Sequence, residues 1–418
     1  MEKLFLVKLA LKNLTRHQRR VLITASIIAL GIAIFLIYDS IQIGMNKLSF
    51  NNIRNLETGH LQVINKKYWS KRDQLPLKHL ISQKQQLKST ITDLAHFKAV
   101  TPKLKFSANL NNGINQLPVI ACGIAPKTYQ QVFTIEEYLV AGRMIKKDKY
   151  QVIMGQKLAG LMDFKVGDYL TLLFKTKTGT FNTISAKITG LFHTNNPEIN
   201  NNLVYIPLGI AQQALNLEGQ ITQLVVRLDQ DGIAKKISKE LERKLITKDN
   251  QLTVHPWRDF AGEVIAMSKA ETAEKTTIMF LILIIAAVGI VNTILLSSLE
   301  RIKEIGMMKA LGLRVKEIVI VFVLEAMGIG LIGGILGSLL GSIIILYFNI
   351  YGINLSTFVS DLGDWGLPVM GQLYAYWNPS AFILVISFGV VVSLIASILP
   401  AFWAARKDPV EAIAGDYN

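Results

Sequence analysis

One cysteine, Cys122, stands in a chain of 418 residues. A lone thiol excludes a disulfide framework within the chain and any Cys-based zinc site. Charge is scarce as well: Asp, Glu, Lys and Arg make up 18% of the residues, where a soluble domain carries about a quarter. Catalytic signatures are also missing. No G-x-x-x-x-G-K-[ST] phosphate loop, H-E-x-x-H or G-x-S-x-G occurs. A G-x-G-x-x-G does occur at Gly328, Gly330 and Gly333, but inside an apolar run rather than after a strand, which discounts it as a dinucleotide site. The histidines (His17, His60, His79, His96, His193 and His255) are scattered without ligand spacing. No nucleophile comes with a base, so an enzyme is not expected, and energy for any work must come from elsewhere. The composition argues equally against a disordered or fibrous protein.

The apolar half of the chain is gathered into long runs. Residues 21–38 and 276–299 carry no charge, and Glu325 alone interrupts residues 318–360. A helix needs about 20 apolar residues to cross the hydrocarbon core. Four spans fit, at 21–43, 276–299, 317–347 and 379–403. The first follows a basic start but ends in Ile37-Tyr38-Asp39-Ser40, not in a small-residue cleavage site, and reads as an uncleaved anchor. The fold class expected is therefore integral membrane α-helical, with four transmembrane helices.

Lys and Arg set the orientation. Residues 1–20 hold six, the loop 300–317 holds five, and 348–378 holds none. Both termini (1–20 and 404–418) and the loop 300–316 are expected in the cytoplasm, with residues 44–275 and the loop 348–378 outside. Between helices one and two lies one large α+β extracytoplasmic domain. Alternating runs at 59–65, 117–123, 151–154, 168–175, 183–192, 202–206 and 222–228 read as strands. Residues 80–95, 208–215 and 231–245 read as helices, 177–180 as a hairpin turn, and 261–275 as a helical stalk running into span two. Residues 47–275 carry a net charge of +13, and no nucleic-acid recognition motif is present.

The loop after span two is too patterned for a plain turn. Ile302, Ile305, Met308 and Leu311 recur at helical spacing and Gly312 supplies a stop. This predicts a short amphipathic helix offering apolar residues to the membrane surface or to a groove on a cytoplasmic protein. Residues 1–20 predict a second helix lying along the inner interface. In span three, Gly330, Gly333, Gly334, Gly337 and Gly341 form overlapping G-x-x-x-G pairs, a surface for close helix contact. Glu325 is costly in lipid and is expected to pair with Arg301, Lys316 or another chain, or to stay hydrated near the interface. Asn292 and Thr293 are candidates for interhelical hydrogen bonds, and Cys122 reads as a buried strand residue.

Several segments resemble the ABC-transporter permeases of the FtsX/MacB/LolC–LolE group. They are LALKNLTRHQRRVLIT (9–24), TGHLQV (58–63), MGQKLAGLMDFKVGDYLTL (154–172), NTILLSSLERIKEIGMMKALGLRVKEI (292–318) and PAFWAARKDPVEAI (400–413). The E-R-x-x-E-I-G-x-x-x-A-L-G element is the most specific. A four-span unit without a fused ATPase is most similar to the LolC/LolE-like lipoprotein-releasing permeases.

The resemblance implies a bacterial inner-membrane subunit that pairs with a second permease chain and with two copies of a cytoplasmic ABC ATPase, where ATP and Mg would bind. No cofactor or metal is expected in this chain. Residues 301–312 would be the coupling helix, with Arg301, Glu304, Ile305, Gly306, Met308, Ala310, Leu311 and Gly312 as its working residues. Lipoprotein-releasing members hold acyl chains between spans one and two, which here points to Ile34, Ile37, Ile41, Ile278 and Leu281, and pass the lipoprotein to a periplasmic chaperone. The short turn at 177–180 lacks the long hairpin with which one such subunit grips the chaperone. MacB-like and FtsX-like members imply an alternative, in which the same movement drives efflux of periplasmic cargo or activates a periplasmic partner without moving a substrate.

Overall fold

Four uninterrupted apolar stretches become four long helices, because in lipid only a helix satisfies its own backbone. The computed structural model describes residues 2–16, 18–82, 85–194, 196–246, 249–354 and 372–406. Most of the loop 348–378 and of the tail 404–418, and also His17, lie outside the described residues. Among these residues, four helices are long and apolar enough to cross a membrane. They are Gln18–Asn52, Gly262–Glu300, Val315–Tyr351 and Pro379–Arg406. Each outruns its apolar core, and Gly262–Glu300 takes in the stalk. A separate helix, Glu2–Arg16, precedes the first span. A short one, Ile302–Ala310, joins the second to the third.

The chain divides into two compact units. The helical unit takes residues up to 46, 267–353 and those from 372 onward. Its third and fourth spans pack side by side along a seam of small residues. A Cβ added at Gly333 would come 3.0 Å from Ala25 O, and at Gly337 it would come 2.6 Å from Ala29 O, both on the first span. At Gly334 it would meet Ile386 of the fourth span at 3.4 Å, and at Gly341 it would meet Leu36 at 3.2 Å. Gly330 seats against Gly389 and Ser393. With no hydrophobic drive between helices in lipid, such close backbone approach is what holds them together.

The second unit, residues 47–266, is an α+β domain on one mixed sheet. We label its strands β1 (Leu61–Asn65), β2 (Phe97–Asn111), β3 (Gln116–Ile124), β4 (Leu139–Gly142), β5 (Gln151–Gly155), β6 (Tyr169–Lys175), β7 (Phe181–Phe192), β8 (Leu203–Pro207), β9 (Gln223–Leu228) and β10 (Leu252–Pro256). Their order is β10-β1-β9-β2-β3-β8-β5-β7-β4, with β6 paired to both β2 and β7. Most pairs are antiparallel, while β3 with β8 and β5 with β7 are parallel. The β6–β7 hairpin closes over residues 176–180. There the Thr176 N–H donates to Thr180 O at 2.8 Å, and Gly179 takes a φ of 89°, which costs a glycine little. The seven strands read from alternation overlap β1, β3 and β5–β9, to within two residues at each end. Strands β2, β4 and β10 went unread. Apolar side chains fill both faces of the sheet, and Cys122 is fully buried on β3.

Candidate functional site

The most connected polar cluster of the helical unit surrounds the short helix Ile302–Ala310. Arg301, just before it, reaches in two directions. Its Nε donates to Glu304 Oε2 at 2.8 Å and its Nη1 to Glu325 Oε2 at 3.3 Å. Glu325 is buried in the third span, where an unpaired charge would be costly. Asn13 Nδ2 also faces that carboxylate at 3.4 Å. Arg16 Nη1 meets Glu304 Oε1 at 3.1 Å, and Arg20 Nη1 meets Glu300 Oε2 at 2.9 Å. Arg20 also donates to Thr293 O, and the hydroxyls of Thr24 and Thr293 lie 2.6 Å apart. Two clusters result: Arg301 and Glu304 tie the short helix to Glu2–Arg16 and to the third span, and Arg20 and Thr24 tie the first span to the second. Of the partners proposed for Glu325 from sequence, the structure selects Arg301. Thr293 does bridge spans one and two, whereas Asn292 is exposed.

The apolar stripe on the short helix points inward. Ile302 and Ile305 are buried, and Met308 packs on the same core. Arg301 and Gly306 are buried too. The expectation that Ile302, Ile305 and Met308 face a partner is therefore corrected: helical periodicity names a face without naming its direction, and this face covers the chain's own spans. What remains outward is Lys303, Met307, Ala310, Leu311 and Gly312, with Leu311 83% exposed. Gly312 takes a φ of 95° and ends the helix, and Glu317 Oε2 accepts the Arg314 N–H at 2.6 Å to cap the third span.

A second feature lies between the spans. An apolar groove of about 260 Å³ is lined by Ile27, Leu30, Gly31 and Ile34 of the first span, Ile282, Ile285 and Ile290 of the second, and Phe388 and Val392 of the fourth, among others. Of the five residues proposed for acyl contact, Ile34 lines it. Ile37, Ile41, Ile278 and Leu281 do not. Sequence reasoning missed the contribution of the fourth span and of Gly31, where an added Cβ would lie 2.9 Å from Ile282. At the other end of the same spans, buried Asp39 is held by Lys275 and by Asn378 Nδ2 at 2.8 Å.

The α+β domain holds its own perturbed groups. Burial pulls the Lys103 ammonium down to about 8, and its Nζ donates to Glu57 O at 3.0 Å above the Phe133 ring. Burial also lowers His60 and Arg54, which both contact Asp231, at 2.9 and 2.8 Å. Burial alone would raise the Asp231 carboxyl, but the His60 hydrogen bond and the Arg54 charge hold it below its ordinary value. Among the described residues no group of three or more His, Cys, Asp or Glu side chains is placed to hold a metal ion.

Residues 276–409 match the family described as FtsX-like permease C-terminal. The chain is 26% identical over 298 residues to an uncharacterized ABC transporter permease of Methanocaldococcus jannaschii, covering 70% of this chain and 69% of that one. It is 24% identical over 323 residues to the lipoprotein-releasing system transmembrane protein LolC of Xylella fastidiosa, covering 73% of this chain and 75% of that one. The periplasmic region of MacB from Actinobacillus actinomycetemcomitans superposes on 51% of this chain and 95% of its own, with 15% identity and a TM-score of 0.37.

Proposed function

This chain being a permease of the FtsX/MacB/LolC family of ABC transporters, we propose that it is the membrane subunit that lifts lipoproteins out of the inner membrane of a bacterial cell for transfer to the outer membrane. A separate cytoplasmic ATPase, in two copies, supplies the energy and holds ATP and Mg²⁺. A second permease chain completes the assembly, and the α+β domain works in the periplasm, where a chaperone would take the cargo.

The observation that carries the reading is the apolar groove between the first, second and fourth spans. Lipid tails are as apolar as the groove, so an acyl chain gains no hydrophobic free energy by moving into it. The groove must hold a chain by shape and dispersion contacts. Its volume of about 260 Å³ suits part of one acyl chain. The outward residues Met307 and Leu311 give the ATPase an apolar contact, and the Arg301 network carries its displacement into the third span.

A photo-crosslinking amino acid placed at Ile34 or Ile285 in living cells tests this. Lipidated protein should be captured at both positions and not at Ile343, which is exposed on the third span. Capture of no lipidated protein at Ile34 and Ile285, or equal capture at Ile343, overturns the lipoprotein reading. Capture of a periplasmic hydrolase or adaptor instead moves the account to the signalling alternative.

A further inference from the structure

One cavity of the α+β domain has no role in the function proposed above. It encloses about 540 Å³, within the range of roughly 300–1,000 Å³ typical of ligand sites. Two glutamines line it, and both are nearly inaccessible: Gln62 is 2% exposed and Gln223 is 4% exposed. Gln62 Oε1 and Gln223 Nε2 have no hydrogen-bond partner among the described residues. The orientation of Gln62 is fixed, because its Nε2 donates to Thr58 O at 3.0 Å.

The strands set the spacing of the pair. β1 and β9 pair with Gln62 opposite Val225 and Ile64 opposite Gln223. Gln62 and Gln223 are therefore diagonal neighbours on one face of the sheet, a separation of roughly 7–8 Å. One presents an open acceptor and the other an open donor. Leaving such buried groups unpaired is costly, because each has lost its water without gaining a partner. A ligand that supplies one N–H and one C=O offsets that cost, and the backbone amide of a peptide has both.

Charge narrows the ligand further. Four carboxylates (Glu57, Asp73, Glu198 and Asp259) line the cavity, against two cations, Arg72 and Lys105. Residues 47–275 as a whole are strongly basic, with 32 Lys and Arg against 19 Asp and Glu. The cavity thus reverses the sign of its surroundings, which disfavours a phosphate or an anionic headgroup. The aromatic rings of Tyr68 and Phe260 add apolar wall.

We propose that this cavity binds a cationic polypeptide segment, reading its backbone amide with Gln62 and Gln223 and its Lys or Arg side chain with the surrounding carboxylates. The site lies within the α+β domain and does not rest on the lipoprotein reading.

The test uses the full chain in phosphatidylcholine nanodiscs and titration calorimetry. Acetyl-Ala-Lys-Ala-Lys-Ala-amide should bind saturably. Its Glu counterpart, and a version methylated on the backbone nitrogens, should each bind at least tenfold more weakly. The methylated peptide tests amide reading without altering the protein. Gln223→Leu should cost at least tenfold in affinity without lowering the unfolding temperature, since it removes an unpaired donor. No saturable binding at millimolar peptide overturns the proposal. So does equal affinity for the Glu or methylated peptides, binding unchanged by Gln223→Leu, or tighter binding of inorganic phosphate than of the Lys peptide.

Discussion

Arg301 Nη1 lies 3.3 Å from Glu325 Oε2, with both side chains buried in the helical unit. One residue precedes the short helix Ile302–Ala310 and the other sits inside the third span, 24 positions later. The pair therefore ties the start of the short helix to the third span.

Removing one partner leaves the other charge buried. Arg301→Met should destabilise the chain by about 3–5 kcal/mol, and the double variant Arg301→Met with Glu325→Met should recover most of that loss. Thermal unfolding in nanodiscs reads both. An Arg301→Met chain that melts like the exposed-site control Lys303→Met would remove the pair from the account.

The glycine seam makes a paired prediction. Gly337→Ala forces a methyl to within 2.6 Å of the Ala29 carbonyl, and should cost about 1–3 kcal/mol. Gly289→Ala in the second span meets nothing within 4 Å and should be neutral or slightly stabilising. Equal effects at the two sites, measured as shifts in unfolding temperature, would contradict the packing described.

Lys103 gives a pH dependence of definite sign. Its ammonium falls from the ordinary 10.5 to about 8 in the folded domain, so the folded state disfavours the proton. The unfolded chain then binds more protons between those values, and this group's contribution to stability rises with pH across that window. Below pH 8 the burden is at its fullest, on the order of 3 kcal/mol. Lys103→Met should therefore be more stable than the parent at pH 7, with the difference shrinking between pH 8 and 10. A difference that stays constant or grows over that range would refute the assignment.

Much of this architecture was legible from the sequence, and the exceptions have physical causes. The spans announced themselves because lipid demands continuous apolar length, and residues such as Ile282 and Ile329 have no soluble alternative. Strand β2 went unread although Lys103–Asn111 alternates polar with apolar, because Pro102 interrupts the run leading into it; Lys103 itself is 1% exposed, over two aromatic rings. The inward turn of Ile302 and Ile305 was unreadable, since periodicity is silent about which neighbour a face meets. The Arg301–Glu325 pair was one candidate among several, because separation along the chain says little about separation in space. Gln62 and Gln223 carried no signal, as a glutamine in a strand ordinarily points to solvent.

Leu311 is the most direct probe of the central proposal, that an ATPase drives this chain through the short helix Ile302–Ala310. At 83% exposed, it can be changed to Asp without disturbing the fold. Wild-type chain and Leu311→Asp would be purified from the native membrane in gentle detergent, and the co-eluting proteins identified by intact mass spectrometry. The account predicts an ATP-binding-cassette ATPase at two copies per assembly with wild type, and its loss from Leu311→Asp. Wild type that elutes with no ATPase, or an ATPase retained undiminished by Leu311→Asp, would contradict it.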